Sequence, residues 1–101
     1  MNKYTELSDF EINKKVAERL FLKFTDSWSV ILVDGESFDP CNNPYDAMPI
    51  IIENKIGLSP MYHSNKWTAD CLDYDFISVN KNPLRACMEV FLMKKDTENE
   101  S

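Results

Sequence analysis

Few residues in this chain are equipped for chemistry. Asp34, Glu36 and Asp39 fall within a stretch without periodicity, residues 34–43. Three carboxylates at such spacing could surround a divalent ion, although the pattern fits no calcium loop and acidic loops ordinarily stay hydrated. Cys41 lies just before a proline-marked helix start, where the positive helix end would lower a thiol pKa. A nucleophile also needs a base and an oxyanion site, and the sequence offers neither. The lone histidine, His63, sits in a turn-like segment without a second ligand, and no His/Cys pair has zinc spacing. Gly35 and Gly57 are the only glycines, too few for a Walker loop or a dinucleotide turn. Tyr45, Tyr62, Trp67 and Tyr74 could stack on bases, but a net charge of −6 makes core edge or protein contact the better reading. The expectation is therefore no catalytic residue, no metal site and no cofactor. Candidate binding residues come from the Cys41-Asn42-Asn43-Pro44 segment, whose polar groups exceed what capping requires, and its surroundings: Asp39, Cys41, Asn42, Asn43, Asp46 and Trp67.

Whatever positions these residues must be small. A length of 101 residues supports one domain, 1–101, with a modest core and a disordered tail over 96–101. An apolar content of 44% excludes a disordered chain. Acids outnumber bases 17 to 11 with no basic run, so direct nucleic-acid binding is not expected. No apolar stretch approaches the roughly 20 residues of a membrane span, and the N-terminus lacks a signal-peptide core. Cys41, Cys71 and Cys87 are odd in number and widely spaced, which reads as reduced thiols in a cytoplasm.

Three helices carry clear terminal signals. Ser8 and Glu11 form a capping box, with Leu7 and Ile12 as the staple, opening a helix over 8–22 with an Ile12/Val16/Leu20 stripe. Asn43-Pro44 opens a second, with Pro49 removing one internal hydrogen bond and Gly57 marking the exit. Asn82-Pro83 opens a third, in which only Arg85 and Glu89 are polar between Leu84 and Met93. A helix apolar nearly all round is one that the protein encloses. Between them, Trp28–Val33 reads as a strand and residues 34–43 as a loop. Residues 58–62, 66–72 and 74–79 form an antiparallel meander, with Pro60 holding its strand to an edge and Asp73 at the last turn. The fold class is α+β: three helices on a small antiparallel sheet of three to four strands, in the order α-β-α-β-β-β-α.

Three blocks, residues 7–18, 38–54 and 82–93, resemble the signature blocks of the NinX-like phage proteins, covering about two fifths of the chain. The layout is more distantly similar to a phage domain described as an α/β/α sandwich. Met48 departs from the tryptophan commoner in that family, and Cys87 and Glu89 from alanine and isoleucine. The resemblance implies phage or prophage origin, action in the bacterial host cytoplasm and an α+β fold, and supplies no catalytic residue. The leading expectation is a non-enzymatic accessory protein that binds a host or phage protein. Two alternatives stay open: a small metal- or nucleotide-dependent enzyme using residues 34–46, and an acidic mimic that blocks a nucleic-acid-binding host protein. Self-association through an exposed helix face also stays open.

Overall fold

A computed structural model describes residues 2–72 and 74–99. Met1, Asp73 and residues 100–101 lie outside the described residues, as does the side chain of Tyr74. In chain order the elements are α1 (Asp9–Arg19), β1 (Phe24–Ser27), β2 (Val30–Val33), β3 (Glu36–Ser37), α2 (Pro44–Glu53), β4 (Ile56–Pro60), β5 (Trp67–Cys71), β6 (Tyr74–Asn80) and α3 (Pro83–Asn99). The architecture is α+β, and the strands form two antiparallel three-stranded sheets, β1-β2-β3 and β4-β5-β6.

α3 is the element around which the rest is arranged. It packs against β4, β5, β6, α1 and α2. Phe91, Leu92, Met88 and Val90 are fully buried, and each such side chain contributes roughly 1.5–3 kcal/mol. The helix runs further than the apolar pattern suggested, so residues 96–99, expected as tail, are its last turn. The reason is Asp96, which takes hydrogen bonds from Tyr4 Oη and from Arg19, the latter at 2.5 Å, and pairs with Lys3.

The capping box of α1 forms as the sequence indicates, with Ser8 Oγ accepting from the Glu11 N–H at 3.1 Å. Ile12, Val16 and Ala17 are its buried stripe. The helix closes at Leu20, and Phe21 enters the left-handed region at φ 58°.

Residues 28–33 do not form one strand. Trp28 and Ser29 are instead the turn between β1 and β2, with Ser27 paired to Val30. Trp28 takes φ 59° there and stands almost fully in solvent. No Gly or Asn announces this turn, so only the strand pairing reveals it. Asp34 and Gly35, expected in a loop, are the two-residue turn between β2 and β3. Both have positive φ, as a right-twisted hairpin requires. Gly57 likewise is not the α2 exit: Lys55 takes the left-handed position at φ 53°, and Gly57 belongs to β4 opposite Asp70. A Cβ on Gly57 would sit 2.2 Å from Asp70 Oδ1.

The meander alternates as expected. Ala69 and Cys71 face the core while Asp70 is exposed, and half-buried Phe76 is followed by exposed Ile77. Pro60 ends β4, an edge strand. His63 is exposed in a turn, its ring 4.1 Å from that of Tyr62.

Candidate functional site

The loop before α2 was expected to display polar residues, and it uses most of them internally. Asn13, buried on α1, donates to Asp39 Oδ1 at 2.7 Å and accepts from the Cys41 N–H at 3.1 Å. Asn42 donates to Asp39 and to Asp9 Oδ2 at 3.2 Å, and its carbonyl accepts from Asn82. Asn82 is thus bound twice over. Its Nδ2 also reaches the Cys41 carbonyl at 2.7 Å, while its Oδ1 caps α3 by accepting from the Leu84 and Arg85 N–H groups. Asn43 caps α2 through the Tyr45 N–H, and Asp46 accepts from the Asp39 N–H at 2.9 Å. Of the sequence candidates, Asp39, Cys41, Asn42, Asn43 and Asp46 therefore form one group. It joins α1, α2 and the start of α3. Trp67 stands elsewhere, half-buried at the head of β5 and paired in register with Pro60 and Asn80.

Cys41, expected to gain a lowered thiol pKa from the helix start that follows it, is instead fully buried. Burial pushes its pKa up, and the nearby Asp9 carboxylate pushes it the same way. Cys87 is also buried, with its pKa pushed up to about 11 by desolvation first and Asp70 second. All three cysteines are free and buried. The acids of the candidate metal loop are split, with Asp34 and Glu36 exposed on a hairpin and Asp39 turned against α1. Among the described residues no three His, Cys, Asp or Glu side chains converge where they could hold a metal ion.

A second polar group lies deeper. Arg85 and Glu89, expected as a stripe, are both buried, and Arg85 Nε donates to Glu89 Oε2 at 2.7 Å. The remaining guanidinium donors reach Asp9 Oδ1, the Tyr4 carbonyl and the Leu7 carbonyl. Glu89 Oε1 accepts from Ser78 Oγ at 2.5 Å and Asn2 Nδ2 at 2.7 Å. Desolvation opposes the arginine charge, yet the Asp9 and Glu89 bonds outweigh it and hold the group more firmly protonated than usual. This pair fastens the N-terminal segment across α3.

With the loop occupied, the surface it positions is the outer face of α2. Ala47, Ile50 and Ile51 point inward. Tyr45, Met48 and Ile52 point outward and are 85%, 42% and 68% exposed. Their spacing of three and four residues places them on one stripe of the helix. Pro49 lies on the same exposed side. Scattered exposed apolar residues are ordinary, whereas an aligned row is the pattern of a contact surface. A separate groove of about 420 Å³ lies between α1 and the first sheet, bordered by Asp9, Phe10, Val30, Phe38 and Asn42 and by no residue of α2.

In sequence Met48 and Ile52 lie beside Ala47 and Ile51 on the helical wheel, so the apolar pattern of α2 does not by itself separate buried from exposed residues. Their exposure in the fold makes that separation.

A family model described as Bacteriophage P22, NinX matches residues 3–95. The chain belongs to this phage family. The match spans the capped start of α1, the 39–46 loop, α2 and most of α3, so the NinX family pattern covers every residue of both polar groups except Asn2. No curated protein matches the chain, and no solved structure does. Among the described residues no helix is long and apolar enough to cross a membrane.

Proposed function

We propose that this NinX-family protein is a non-enzymatic phage or prophage accessory protein, acting in the host cytoplasm by binding another protein across the outer face of α2. The observation that carries this reading is the row Tyr45, Met48 and Ile52, exposed on a helix whose other face is fully used in the core. Two arrangements support it. The 39–46 loop and Asn82 hold the N-terminal end of α2 at a fixed angle to α1 and α3, which lowers the ordering cost of binding. The candidate nucleophile is buried with a raised pKa, which removes its reactivity.

A photo-reactive phenylalanine analogue at position 48, introduced in infected or lysogenic cells, tests the proposal. The expected result is a discrete heavier adduct with one other protein, absent when the probe replaces Glu36 on the β3 hairpin. Equal labelling from both positions would contradict a docking role for α2.

A further inference from the structure

The α2 face carries enough chemistry to define its occupant, and this step rests on the docking reading above. At 100° per residue, Tyr45, Met48, Pro49 and Ile52 share an arc of about 100°. Exposed Glu53 and half-buried Asp46, which also takes the Asp39 N–H, follow along one border of that arc, seven residues apart and so nearly in line. α2 itself contains no Lys or Arg; the nearest base, Lys55, lies past its C-terminal end toward the opposite border. The surface is therefore an apolar ridge with an acidic edge, on a chain of net charge −6.

Size and charge together disfavour a stable dimer built on this face alone. Ten residues rise only about 15 Å, and four side chains present far less than the roughly 800 Å² per partner of a stable interface. An antiparallel copy would also place both acidic borders on the same side, between two molecules that already repel. A short amphipathic helix suits the ridge in length, packing its own apolar row beside Met48, whose flexible thioether adapts to an uneven partner. Cationic side chains at heptad spacing on that helix would meet Asp46 and Glu53, and the open Tyr45 ring offers a further seat for a cation. We infer that the α2 face receives a Lys- or Arg-bearing amphipathic helical segment of another protein.

Fluorescence anisotropy with three labelled peptides tests this: an amphipathic Leu/Lys helix, its Leu/Glu counterpart, and a Leu/Lys peptide of the same composition with the pattern scrambled. The full chain should bind the first in preference to the other two. Ile52→Asp should weaken that binding roughly tenfold, although it makes the protein more negative, while Glu53→Gln should weaken it less and flatten its salt dependence. Equal binding of the scrambled peptide, or tighter binding by Ile52→Asp, would reduce the effect to bulk charge and overturn the inference. So would preference for the Leu/Glu helix, or a dimer in sedimentation that Ile52→Asp dissolves. Crosslinking from position 48 with no selective peptide binding would leave the docking face standing and sink only its assignment to a basic helix.

Discussion

Arg85 and Glu89 show how residue type and residue role separate. In sequence they are the two polar interruptions of an apolar helix, four residues apart on one narrow stripe. Their partners come from far along the chain: Tyr4, Leu7 and Asp9 for the arginine, Ser78 and Asn2 for the glutamate. Nothing local reveals such partners, whereas enclosure of Phe91 and Leu92 follows directly from their apolar neighbours. Removing one member leaves the other charged and buried. Arg85→Ala should cost about 3–5 kcal/mol in urea unfolding, and replacing both by apolar residues of similar size should cost less than that single change. A double variant less stable than the single one would show that the pair contributes net stability. The cysteines give a second check at this scale. Because all three are buried, a thiol reagent should label the native protein slowly and the urea-unfolded chain at once. Fast native labelling at Cys41 would restore it as a reactive group.

At the scale of elements, helix starts were the most readable features, since capping needs only neighbours in sequence. The Ser8/Glu11 box, Asn43 and Asn82 all act as their positions indicate. Turns without Gly or Asn were the least readable, and Trp28 at a hairpin tip is the example. Asn82 has a second duty that no cap rule contains, tying α3 to the Cys41 carbonyl. Asn82→Ala should therefore exceed the usual cap cost of about 1 kcal/mol, while Asn43→Ala should match it, both by thermal unfolding. The far end of α3 depends on Asp96. Burial acts to raise its pKa, but the Tyr4 and Lys3 bonds and the charges of Lys3 and Arg19 outweigh burial and hold it below the usual carboxylate range. A depressed native value means the unfolded chain takes up the proton first. The stability from Asp96 is thus present above the ordinary carboxylate range and is lost as pH falls through its lower native value. Unfolding curves taken from pH 6 downward should fall less steeply for Asp96→Asn than for the parent chain, and parallel curves would contradict the assignment.

Across the whole molecule, polar and apolar residues are divided against their ordinary expectation. Polar residues of the 39–46 loop and of α3 hold elements together, and apolar residues of α2 remain outside. The α+β class, element order and enclosing role of α3 were readable because hydrophobic period and caps determine them. The division of strands into two sheets was not, because pairing depends on the β1–β2 turn. Neither was the internal use of most of the loop's hydrogen-bonding groups, since Asn13 and Asn82 arrive from α1 and α3. The measurement that tests this division most directly takes Asn42→Ala and Ile52→Asp through both urea unfolding and capture of the protein crosslinked from position 48. Asn42→Ala should lose about 1 kcal/mol of stability and keep its partner under folding conditions, whereas Ile52→Asp should keep its stability and lose its partner. The reverse result, binding lost through Asn42 and retained through Ile52, would contradict the account.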